Sequence, residues 1–82
     1  MLFRSDLVFL GDSLFSLTGA LPAYLAQTLA AFQENEGRVH CLREDLAARG
    51  IVEGQLLIKN LDAVDRDGMS SLLEDSDSIN VF

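Results

Sequence analysis

The chain is short of several residue types that mark specialised proteins. It has one cysteine, one proline, one tyrosine, one histidine and no tryptophan among 82 residues. A lone cysteine cannot close an internal disulfide, which excludes a disulfide-stapled secreted scaffold and makes the cytoplasm the expected compartment. Positive charge is scarce too. Six basic against thirteen acidic side chains leave a formal charge of −7. Such a surface repels phosphate backbones and anionic membranes, so no direct nucleic-acid or membrane partner is expected. Long hydrophobic runs are missing, since Asp12 and Gly19 interrupt the first one well short of the roughly 20 residues that span a bilayer. The N-terminus lacks the apolar run and small-residue cleavage site of a signal peptide. No repeat, linker or low-complexity tract is visible.

What is present is apolar. Hydrophobic residues make up 49% of the chain, enough for one small domain over residues 1–82. So small a core leaves apolar surface uncovered, and the mean hydropathy is positive, so an oligomer is expected. Phe3, Phe15 and Tyr24 are candidate interface anchors, with core packing as the equal alternative.

Strand-like and helix-like segments alternate. Leu7-Val8-Phe9-Leu10, ended by Gly-Asp-Ser, reads as a strand covered on both faces. Pro22 suits a helix start, Leu21, Leu25, Leu29 and Phe32 share one helical face, and Asn35 and Gly37 suit a left-handed stop. Arg38–Leu42 reads as a second strand. A helix follows through Arg43–Arg49, closed by Gly50, with Glu44 and Asp45 at its positive end. Leu56-Leu57-Ile58 reads as a third strand. Asn60 then caps a helix bearing Leu61, Val64, Leu72 and Leu73, bent or broken at Gly68, and Ile79–Phe82 alternates like a final strand. The β-α-β-α-β-α-β order predicts a three-layer α/β fold with a small, mostly parallel sheet of about four strands. Ligands in such sheets sit beyond the carboxyl ends of the strands, near Asp12, Ser13 and Cys41 here.

Several groups have chemical potential. Val8-Phe9-Leu10-Gly11-Asp12-Ser13-Leu14 resembles the nucleophile block of the GDSL esterases, but the match covers four residues. It lacks an Asp-x-x-His pair, because the residue three before His40 is Gly37. Ser13 is therefore expected to be a structural turn residue, with an esterase as the remote alternative. Asp62, Asp65, Asp67, Glu74, Asp75 and Asp77 lack the ordered spacing and central glycine of a calcium loop and read as a solvated face. His40 alone is no metal site, and neither metal nor cofactor is implied. Arg43 and Arg49 suit surface pairing, or docking of an acidic partner loop. Cys41 follows His40 on a strand, so the two side chains point to opposite faces and form no Cys-His pair.

The segment Arg38–Ile51 resembles the central part of the TusB/DsrH family of DsrE/DsrF/DsrH-like sulfur-relay proteins, where a strand of the form V-Y-A-L leads into N-E-D-L-x-A-R-G-L. The matching residues are Val39, Leu42, Glu44, Asp45, Leu46, Ala48, Arg49 and Gly50, and Leu7–Asp12 resembles the preceding strand. Such proteins usually begin with a further strand and helix, so the resemblance is to a member shortened at its N-terminus. Cys41 stands where the family pattern has alanine, one position off the cysteine of the related TusD/DsrE carriers. What the resemblance implies is a DsrEFH-like fold and a non-catalytic subunit of a cytoplasmic sulfur-relay complex with TusC/DsrF-like and TusD/DsrE-like subunits. Such complexes serve 2-thiolation of tRNA wobble uridine or dissimilatory sulfur oxidation. Asp12, Glu44, Asp45, Arg49 and Gly50 would be its motif and interface residues. The alternative is a small self-associating sulfurtransferase carrying persulfide on Cys41, against which stands the tendency of cysteine outside disulfides to be inert and buried.

Overall fold

The first apolar run becomes the middle of a sheet. Strand β1 (Ser5–Phe9) pairs in parallel with β2 (Arg38–Leu42) on one side and with β4 (Ser78–Val81) on the other, and β2 pairs with β3 (Asp62–Val64). The strand order is β3-β2-β1-β4, all parallel. Helices α1 (Ala23–Glu34), α2 (Arg43–Ala48) and α3 (Arg66–Asp75) link the strands. The computed structural model describes residues 4–19 and 21–82, so Phe3 lies outside the described residues.

Register sorts the side chains into two layers. Leu7 and Phe9 lie beside Val39 and Cys41, and Cys41 beside Ala63, so these residues share one face. Over it pack Leu14 and Leu17 of a 3₁₀ segment (Gly11–Leu17), Leu29 of α1, Leu46 of α2 and Ile51. Each large aliphatic buried there contributes about 1.5–3 kcal/mol relative to exposure. The opposite face carries Asp6, Val8 and His40, all buried, and α3 lies on this side. A Cβ added to its Gly68 would come within 3.2 Å of Val64. The result is a three-layer α/β unit with a four-stranded parallel sheet.

Helix ends follow local chemistry. Gly50 takes φ +64°, its N–H donates to Ala47 O at 3.2 Å, and Ile51 N–H reaches back to Leu46 O at 3.0 Å. This is a Schellman cap whose accompanying apolar contact is Leu46 with Ile51, both buried. α1 ends in the same motif, with Glu36 N–H on Gln33 O and Gly37 N–H on Phe32 O. Glu36 rather than Asn35 or Gly37 holds the left-handed conformation there, at φ 68°. Gly37 is needed for another reason: any Cβ would lie 2.5 Å from the Phe32 ring.

Other expectations are corrected. β1 starts at Ser5 and ends at Phe9, which brings Asp6 into the sheet. Leu56-Leu57-Ile58 is not a strand. Leu56 and Ile58 pack on the core while Leu57 is exposed and donates its N–H to Leu17 O at 2.8 Å. The run lines the rim of the helical layer, and the strand is the shorter Asp62–Val64, selected by pairing with β2. Asn60 does not cap a helix, since it sits in a turn at φ 59°. The cap of α3 is Asp65, whose carboxylate accepts the Gly68 N–H at 2.7 Å. Gly68 therefore lies in the first turn of one continuous helix and breaks nothing.

Candidate functional site

At the carboxyl end of β1 the chain turns at Gly11, with φ +58°, a value that favours glycine. Its N–H donates to Asp45 Oδ2 at 2.9 Å. Arg49 donates from Nε to Asp12 Oδ1 at 3.0 Å and from Nη1 to Asp45 O at 3.2 Å. Asp12, Asp45 and Arg49 thus meet in one clamp between the β1 turn and α2. Asp12 is 89% exposed, so its ion pair with Arg49 is a weak surface contact. Glu44 stands apart and pairs with Arg66 at 3.1 Å, both exposed. Gly50 has its role in the α2 cap described above.

Ser13 lies beside the clamp. Its Oγ is 2.6 Å from Leu10 O and 3.2 Å from Phe82 O. A hydroxyl has one proton to donate, and here it goes to main-chain carbonyls. His40, the single imidazole, is on the opposite face of the sheet and bonded elsewhere, so no general base addresses this serine among the described residues. Cys41 is fully buried in the α1/α2 layer. Sulfur transfer requires an accessible thiolate, and this packing denies a donor direct approach. As alternation in a strand requires, His40 and Cys41 face opposite ways.

The second locus escaped the sequence reading. On the α3 face His40 Nε2 is 2.6 Å from Asp6 Oδ1, and Nδ1 is 3.2 Å from Asp62 Oδ2. Asp6 Oδ2 accepts from Arg4 Nε at 3.1 Å. Asp6 and His40 are buried, whereas Asp62 is exposed. Each ring nitrogen of His40 thus lies against one carboxylate oxygen. Burial by itself raises the Asp6 carboxyl. The hydrogen bonds from Ser76 and His40 and the charges of Arg4 and His40 outweigh it, and the net position is below the ordinary value of 3.8. His40 floors a cleft of about 350 Å³ whose walls include Arg4, Arg38, Asp62, Ser71 and Asp75. One signal could have revealed the cluster: Asp6 and Val8 share parity in β1, and the only histidine lies opposite Val8.

The apolar counterpart is a crevice of about 350 Å³ between the 3₁₀ segment, α1 and the end of β4. Leu7, Phe9, Leu25, Leu29 and Phe82 line it, and the Phe9 and Phe82 rings stack at 5.1 Å. Phe15 and Tyr24, the two described anchor candidates, are both exposed, as are Val52, Leu57, Leu73, Val81 and Phe82. No helix among the described residues is long and apolar enough to cross a membrane. No protein-family model matches the chain, and no curated protein matches it.

Proposed function

We propose that the chain is a non-catalytic α/β subunit of a cytoplasmic sulfur-relay complex, of the DsrE/DsrF/DsrH type and resembling TusB/DsrH. Its role is to complete an assembly with TusC/DsrF-like and TusD/DsrE-like subunits, next to the partner cysteine that carries sulfur. One contrast supports this reading above others: the chain's own nucleophile candidates are engaged or enclosed, while several of its large apolar side chains face outward. Ser13 is hydrogen-bonded to main chain and Cys41 is fully buried, yet Tyr24, Leu57, Val81 and Phe82 are exposed. A parallel sheet with helices on both faces agrees with the fold that the Arg38–Ile51 resemblance implies.

The test is co-expression of the tagged chain with TusC/DsrF-like and TusD/DsrE-like proteins. A stoichiometric complex surviving gel filtration supports the proposal, as does loss of tRNA 2-thiouridine or of sulfur oxidation when the chain is deleted. Incubation with a persulfide donor gives the opposing outcome. A gain of one sulfur atom on Cys41 that turns over, and is absent from Cys41→Ala, makes the chain a carrier instead. Labelling of Ser13 by a fluorophosphonate would make it an esterase.

A further inference from the structure

The cleft floored by His40 gathers charges of both signs that the fold leaves unmatched. Register puts Asp6, Arg38, His40 and Asp62 on the α3 face of the sheet. Arg38 is one strand over and two residues back from Asp62, which sets their Cα atoms about 8 Å apart. Both residues line the cleft, yet they form no ion pair. The guanidiniums of Arg4, Arg43, Arg49 and Arg66 each donate to an oxygen of the chain, whereas that of Arg38 meets no acceptor among the described residues. Where thirteen acidic side chains face six basic ones, an unmatched cation is the less expected case. On the α3 wall stands Asp75, the last residue of that helix, with no basic residue in its last turn and no donor to its carboxylate among the described residues. A negative charge there adds to the negative end of the helix dipole. Asp62 rests Oδ2 against His40 and leaves Oδ1 unengaged among the described residues.

We propose that this cleft binds a free α-amino acid with a short aliphatic side chain, its carboxylate on Arg38 and the outer guanidinium nitrogens of Arg4, its ammonium between Asp62 and Asp75. A guanidinium holds a carboxylate through two parallel N–H···O bonds, and an ammonium has three N–H groups for the aspartates. Arg4 keeps those nitrogens available because only its Nε is committed, to Asp6.

Charge selects this ligand over others of similar size. A phosphate or simple carboxylate meets Asp62, Asp75 and a chain of charge −7. A polyamine meets Arg4 and Arg38, and no cluster of three metal-ligating side chains exists among the described residues. A zwitterion is neutral overall, so the field of the chain does not repel it, and it supplies the partner that each wall lacks. The volume of about 350 Å³ is near the lower end for small-molecule sites, which suits an amino acid better than a nucleotide. Val64 and Leu72 form the apolar part of the wall and take the aliphatic side chain.

This inference goes beyond the relay reading, and its test uses the isolated chain, so either can fail alone. Alanine, valine and leucine are titrated separately into isotope-labelled protein up to about 10 mM, which covers millimolar dissociation constants. Saturable amide shifts are expected at Gly37, Arg38, Asp62 and Gly68. Acetate, ethylamine and inorganic phosphate each engage one wall only and should bind at least about tenfold more weakly than valine. Arg38→Gln and Asp62→Asn, both at exposed positions, should each weaken valine binding at least about tenfold with circular dichroism unchanged. Arg66→Gln removes a cation outside the cleft and should leave binding intact. If Asp62→Asn disturbs the fold through His40, Asp75→Asn takes its place. No saturable shift from any of the three amino acids, acetate or phosphate binding as tightly as valine, or undiminished affinity in Arg38→Gln would overturn the proposal.

Discussion

Nε2 of His40 lies 2.6 Å from Oδ1 of Asp6, on neighbouring strands beneath α3, with both side chains buried. Removing Asp6 leaves the buried His40 only its 3.2 Å contact with the exposed Asp62 and takes the acceptor from Arg4 Nε. Asp6→Ala is therefore expected to destabilise the chain by about 3 kcal/mol, seen as a lower urea midpoint. Asp6→Leu combined with His40→Leu should recover part of that loss, because apolar replacements leave no charge stranded. A double variant worse than the sum of its singles would show that the pair is not the source of the effect.

The same carboxylate sets an acid limb. Asp6 binds its proton less readily folded than unfolded, since its folded value is below 3.8. Its contribution is thus complete above the unfolded value and disappears as pH falls through the lower folded value. Urea midpoints measured across the acid range should show the difference between wild type and Asp6→Asn constant above about pH 5 and shrinking below about pH 4. A difference that grows on acidification would contradict this direction.

The end of α1 offers two opposed substitutions. Gly37→Ala drives a methyl into the Phe32 ring, 2.5 Å from the ideal Cβ position, and should cost about 1–3 kcal/mol. Phe32→Leu in the same chain should relieve some of it. Glu36→Gly, by contrast, replaces a side chain held at φ 68° with the residue that tolerates it, and should stabilise by up to about 1 kcal/mol. Thermal unfolding of the three variants reads both signs.

Within the Asp12–Arg49–Asp45 clamp the two carboxylates should differ. Asp12→Ala removes an exposed ion pair and should change stability by less than about 1 kcal/mol. Asp45→Ala also strips the acceptor from Gly11 N–H and should cost about 1–2 kcal/mol. Equal effects would mean that the backbone contact is not the tie between the β1 turn and α2.

Cys41 should react with iodoacetamide only when the structure opens. Its rate in native buffer is expected to be at least about 100-fold below that in denaturant, tracking the opening equilibrium. Fast native labelling would expose the thiol and revive the carrier alternative.

Local pattern was enough for β2, for α2 with its Gly50 cap, and for the α/β order, because a helix end and a strand's periodicity are written in a few adjacent residues. The apolar run Leu56–Ile58 misled for the same reason: hydrophobicity marks burial, and a rim segment buries side chains as a strand does. β3 is three residues, one of them Asp62, and nothing in so short a stretch distinguishes it from a loop until His40, Cys41 and Leu42 are alongside.

By itself the sequence determined the parallel α/β class, the positions of the helices α1 and α2, and the opposition of His40 and Cys41 across the sheet, since all of these follow from spacing along the chain. Only the tertiary structure decided that Asp6, His40 and Asp62 form one cluster and that Asp12 and Asp45 meet at Arg49. Those facts depend on strand register and strand order. Both are set by contacts between residues 22 to 73 positions apart, which no local periodicity encodes.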